Sequence, residues 1–220
     1  MTFTAPVLNY AQLAPMLIVL AGALIGVLIE AFAPRASRHT SQLFIAVASL
    51  VAAFAALVRV RNQSSVDAAM GSVGFDGAGV LLQGTILIIA LLSVFLIADQ
   101  ENFTALAAAV PGSSEERESL QLDLRVTEVY PLTLFAVAGM LLFPVSTDLI
   151  TLFVALEMLS LPLYLMAGLS RRRRLMSQES ALKYFLLGAF SSAFFLFGVA
   201  YLYGYANSVT FAGIQASITG

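Results

Sequence analysis

Glu157 and Lys183 are the two residues whose type and setting point to chemistry. Glu157 falls near the middle of the apolar run LITLFVALEMLSLPLYLMAGL, with at least eight residues of that run on either side. An ionisable side chain at the centre of a bilayer costs several kcal/mol, so it should face a polar interior and find a partner. Two roles suit such a carboxyl. It can take up and release protons or other cations, or it can stay neutral and bond across helices as packing glue. Pro162 lies five residues further on. It has no N–H, so the Met158 carbonyl loses its helical donor and the helix tends to kink there. A freed carbonyl beside Glu157 suits water where the backbone lines a cavity.

Lys183, the only lysine, lies near the start of the next apolar run, SALKYFLLGAFSSAFFLFG. It can snorkel to the headgroups as an anchor or join a relay. Four arginines already crowd that edge, so a further anchor would add little. Gly188 and Ser192 form a small-residue seam for close helix contact, and they lie on roughly the opposite side of the helix from Lys183. If the two helices end at Leu169 and begin at Ser177, Glu157 lies about 9 Å deeper than Lys183, at 1.5 Å of rise per residue. The expectation is therefore one hydrated network joined through water, not a tight salt bridge.

The elements that must position these residues are membrane helices. The chain is 60% hydrophobic and only 11% charged, with a mean hydropathy of +0.91. These values lie far from those of soluble domains and of disordered chains. A net charge of -2 argues against nucleic acid as a partner. There is no cysteine and a single histidine, His39, placed in a short basic loop. That removes disulfides, thiolate metal sites and iron–sulfur ligation, and one histidine cannot build a haem or zinc site. Any redox chemistry belongs to a partner chain. The run MTFTAPVLNYAQLAP lacks the basic start of a secretory signal, so the first apolar run is expected to be retained.

Six stretches approach the roughly 20 apolar residues that cross a bilayer. They run from about Leu13 to Phe32, Leu43 to Val58, Val80 to Ala98, Val129 to Val145 (the shortest), Leu149 to Leu169 and Ala181 to Tyr203. The runs are apolar on all sides and lack the period of two of a membrane barrel. The fold class is thus all-α integral membrane. Loops one, three and five hold eight arginines (35, 38, 117, 125 and 171–174) against two, Arg59 and Arg61, in loops two and four. That bias predicts a cytoplasmic odd set and an extracytoplasmic N-terminus. The expected organisation is three helices over residues 1–98, a cytoplasmic loop over 99–128, and helices four to six over 129–204. Residues 205–220 form an extracytoplasmic segment. The acidic loop is a solvated segment or a docking surface, and Glu115–Arg125 could form a short surface helix. There is no GxGxxG, no phosphate loop and no Ser/His/Asp set.

The runs EVYPLTLFAVAGMLLF, LFVALEMLSLPLYLMAGL and ESALKYFLLGAFSSAFFLFGVAYLYG resemble the subunit N family of bacterial proton-pumping NADH–quinone oxidoreductase, respiratory complex I. Leu156 before the glutamate fits the N type; the related L and M subunits and the Mrp-type sodium/proton antiporters usually carry Trp there. The resemblance implies an antiporter-like bundle normally of about fourteen helices, of which this chain matches the N-terminal part. It also implies a place in the membrane arm of the complex, among its other membrane subunits, in the bacterial inner membrane. Glu157 and Lys183 would then serve a proton relay driven by distant quinone reduction. NADH, FMN, iron–sulfur clusters and quinone would be held by partner subunits, with none in this chain. Three alternatives stay open: a subunit of an Mrp-type antiporter, a non-transporting membrane scaffold, and a quinone-binding chain.

Overall fold

The structure, a computed structural model, describes residues 8–62, 68–99, 113–114, 127–169 and 174–219. Most of the acidic loop, including the short helix expected over Glu115–Arg125, and Arg171–Arg173 lie outside the described residues. In chain order the helices are α1 (Tyr10–Phe32), α2 (Arg35–Val60), α3 (Gly77–Ala98), α4 (Val129–Leu142), α5 (Leu149–Leu169), α6 (Arg174–Ala206) and α7 (Phe211–Thr219). A 3₁₀ turn, Phe143–Val145, extends α4. Five helices (α1, α2, α3, α5 and α6) are long and apolar enough to cross a membrane, and α4 with its 3₁₀ turn is the shorter sixth. The all-α membrane expectation holds.

Two helices extend well past their apolar runs. α2 begins at Arg35, so His39 is helical and not in a loop. Pro34 takes the N-cap position with extended angles, which ends α1 and starts α2 across a two-residue turn, because proline tolerates the first helical positions. Polar residues carry a helix beyond the hydrocarbon without penalty, so hydropathy marks the membrane-facing part and not the helix end. α6 begins at Arg174 for the same reason. The helix α7, in the segment 205–220, was not expected.

α4 is the hub. It packs against α1, α2, α3 and α5, and Tyr130, Leu134, Val137, Ala138 and Leu141 join the buried core with Val19, Ala23, Leu50, Leu87 and Val94. A helix enclosed on nearly every side must be apolar all round. α5 and α6 are stacked on α4 in sequence, and the outer face of α6 carries exposed Leu187, Phe190, Phe194 and Phe197.

The connections sort to two ends of the bundle. At one end the α1–α2 turn meets Thr127 through Glu30. At the other, the main chain at residues 145–149 bonds to both of its neighbours. Gly74 N–H donates to Val145 O (2.8 Å) and Thr147 N–H to Ser72 O (3.1 Å). Leu149 N–H donates to Val209 O (3.0 Å) and Phe211 N–H to Thr147 O (3.1 Å).

Candidate functional site

α5 and α6 run antiparallel, and their contact follows a helical register. Ser177 Oγ donates to Ala167 O at 2.8 Å. Tyr164 packs edge-on to Tyr184 (ring centroids 4.7 Å) and Phe185 (5.8 Å). Phe153 stacks on Phe195 at 6.0 Å. Between the two aromatic groups, Ser192 Oγ donates a hydrogen bond to Glu157 Oε1. Gly188 belongs to the same seam: a Cβ there would lie 2.5 Å from Tyr164 Cζ, so only glycine lets the ring pass. On the other side of α5, Gly139 of α4 faces the backbone beside Glu157. A Cβ at Gly139 would fall 2.5 Å from Leu159 N and 2.9 Å from the Met158 carbonyl carbon. Glu157 is half-buried, and α5 runs unbroken through Pro162.

Lys183 is elsewhere. Its Nζ pairs with Glu179 Oε1 at 2.5 Å, four residues back on the same helix, and the side chains are 69% and 63% exposed. At 100° per residue, the nine-residue step from Lys183 to Ser192 is half a rotation, so lysine and seam face opposite ways. The same step spans about 13 Å of rise, more than the 9 Å expected from loop lengths. The apolar part of α6, Met176–Ala206, is 31 residues long and centred near Ser191. With Ser192 at mid-depth, Lys183 falls close to the boundary of a hydrocarbon core about 15 Å in half-thickness. No hydrogen bond or ion pair joins Glu157 and Lys183, and no basic side chain lies within ion-pair reach of Glu157 among the described residues.

A second polar cluster was missed. Glu30, near the end of α1, accepts from Arg38 Nη1 (3.0 Å), Gln42 Nε2 (3.1 Å) and Thr127 Oγ1 (2.7 Å). Gln42, buried, also donates to Gly26 O at 2.8 Å, and Arg38 Nε donates to Ala33 O at 2.9 Å. Beside them the Tyr130 hydroxyl and His39 Nε2 are 3.0 Å apart. The available signal was an acid and an arginine eight residues apart across a Pro-marked turn. With three donors already on its carboxyl, Glu30 is a clasp for α1, α2 and the start of α4. Among the described residues no group of three or more acidic, histidine or cysteine side chains could hold a metal ion.

The seam coincides with a known sequence family. Residues 146–219 match the family described as NADH:quinone oxidoreductase/Mrp antiporter, TM. Over all of this chain, subunit N 3 of NADH-quinone oxidoreductase from Streptomyces griseus is 47% identical, and the match covers 42% of that protein. Subunit N from Acidothermus cellulolyticus is 53% identical over 98% of this chain and 42% of its own length. The chain thus spans less than half the length of these curated relatives. Among solved structures, respiratory complex I from Thermus thermophilus superposes with a TM-score of 0.66 at 30% identity, over 89% of this chain and 38% of the matched one. An archaeal membrane-bound sulfane sulfur reductase shares the fold, with a TM-score of 0.67 at 19% identity, over 94% of this chain and 39% of its own. This is a multi-pass membrane chain, similar along its whole length to subunit N of NADH-quinone oxidoreductase, and its residues 146–219 match the family described as NADH:quinone oxidoreductase/Mrp antiporter, TM.

Proposed function

We propose that this chain is part of a proton-translocating membrane-arm subunit of a bacterial NADH–quinone oxidoreductase, in which Glu157 takes up and releases protons. The observation that carries this reading is the Glu157 carboxyl, mid-helix in an apolar span, yet supplied with a hydroxyl donor from Ser192. A carboxylate in that position needs a donor to offset lost hydration. When it binds a proton, the carboxyl itself becomes a donor, and the serine hydroxyl, which can both give and accept, accommodates either state.

Driving energy would come from quinone reduction in other subunits, which would hold NADH, FMN, iron–sulfur clusters and quinone. The chain would lie in the bacterial cell membrane with its N-terminus outside, following the arginine bias. Residues 1–98 would then form a three-helix unit, 99–128 a cytoplasmic loop, 129–204 the relay-bearing helices, and 205–220 an outer segment containing α7. Lys183, paired with Glu179 on the far face of α6, would be a separate cytoplasm-side station and not the local partner of Glu157.

The test is Glu157→Gln in the full-length subunit within its native complex. Proton uptake per NADH oxidised, measured in inverted vesicles, is expected to fall with assembly intact. Unchanged stoichiometry would mean that Glu157 is packing glue and the subunit a scaffold. The family description also covers Mrp antiporters, which supports a second reading as an antiporter subunit. Purification of the native complex without flavin or iron–sulfur partners would favour it.

A further inference from the structure

We infer that Ser192 is the positioning residue of Glu157, holding the carboxyl in the α5–α6 seam while it gains and loses its proton. The inference rests on the reading of Glu157 as a proton carrier and deepens it.

The hydroxyls of this bundle set the comparison. Ser49, Thr85, Ser93 and Thr133 all donate to the carbonyl four residues earlier in their own helix, at 2.7–2.9 Å. Ser160, on the same helix as Glu157, does likewise to Leu156 O. That is the default for serine and threonine in a helix, because the carbonyl is always within reach. Ser192 departs from it and donates across helices to a side chain. A hydroxyl that forgoes its local acceptor for an acid on another helix is committed to holding that acid.

Aromatic rings flank the half-buried pair along the seam. Phe153 and Phe195 stack on one side along the seam, with an interplanar angle of 19°, and Tyr164 with its ring partners closes the other. Among the described residues Ser192 is the one hydrogen-bond partner of the Glu157 carboxyl. On its other side α5 lies against α4 at Gly139 with no room for a methyl group. The docked carboxyl faces the seam, on the side of α6 opposite Lys183.

The experiment compares Ser192→Ala, Ser192→Thr and Glu157→Gln in the full-length subunit within the intact complex. Two quantities are read: the rate of NADH-driven proton uptake, and the infrared carboxyl band that disappears in Glu157→Gln. Ser192→Ala should slow uptake roughly tenfold, the scale of one hydrogen bond to an ionised group, and should shift the band. Ser192→Thr, which keeps the hydroxyl, should restore both. In the Glu157→Gln background Ser192→Ala should add no further loss, since the two groups act as a unit. If Glu157→Gln slows uptake while Ser192→Ala leaves rate and band as in the parent, the positioning role is overturned and the carrier role stands. If Glu157→Gln itself pumps normally, both fall. Should Ser192→Ala not assemble, Ser192→Cys, a weak donor of similar size, replaces it, and an unmoved band again overturns the inference.

Discussion

At the residue scale, Glu157 and Glu30 are two acids in the same kind of apolar helix with opposite situations. Among the described residues Glu157 has one donor; Glu30 has three, two from α2 and one from Thr127. A carboxylate held by three donors is a structural joint. Glu30→Ala would leave Gln42 and Arg38 short of their acceptor and should lower stability by about 1–3 kcal/mol, read as a lower thermal midpoint of the purified complex, without changing protons moved per NADH in the complex that remains. Glu157 was legible because its depth in one unbroken apolar run makes it anomalous by itself. Glu30 was not, because it lies two residues from the end of its helix, where an acid needs no special account, and its partners come from other segments. The partner of Glu157 was equally hidden. Ser192 reads as a packing residue, and only the antiparallel register of α5 on α6 brings it level with the acid. Gln42 and Gln83, which donate to Gly26 O and Leu141 O from inside the bundle, went unremarked for the same reason.

At the element scale, α5 is fixed by a cap and by a close approach. Asp148, buried, accepts from Ile150 N–H (2.9 Å), Thr151 N–H (2.7 Å) and Thr151 Oγ1 (2.7 Å) at the start of α5. Such a side chain satisfies donors that the first turn leaves open. Asp148→Ala should lower stability by about 0.5–2 kcal/mol, again as a thermal midpoint. Gly139→Ala is more severe, since its Cβ would strike the backbone of α5. Overpacking of that kind costs about 1–3 kcal/mol and should push α5 off α4. Gly204→Ala, with nothing within 4 Å, should be neutral or slightly stabilising, so the pair separates steric from propensity effects in one stability measurement. The short α4 was anticipated nearly to the residue, because apolar character all round is what its enclosed position requires. Helix ends were not. α2 and α6 continue through arginines and serines that hydropathy assigns to loops.

At the scale of the whole molecule, the arrangement of connections makes orientation testable. The chain contains no cysteine, so single introduced thiols report unambiguously. Asn62→Cys in the second connection should react with a membrane-impermeant reagent from outside intact cells, and Ser37→Cys at the start of α2 only after the cells are opened. The reverse pattern would invert the assigned topology. The two faces of the bundle are also tied differently. On one, side chains gather around Glu30. On the other, main-chain bonds run from Ser72 and Gly74 through residues 145–149 to Val209 and Phe211. Sliding α5 along its own axis would break all of those at once, whereas tilting it stretches them little. Bonds gathered at one rim oppose sliding of α5 more than tilting. Any tilt of α5 would then be smallest at the cinched rim and grow towards the Glu30 side. At mid-depth the Glu157–Ser192 contact would sense a fraction of the swing.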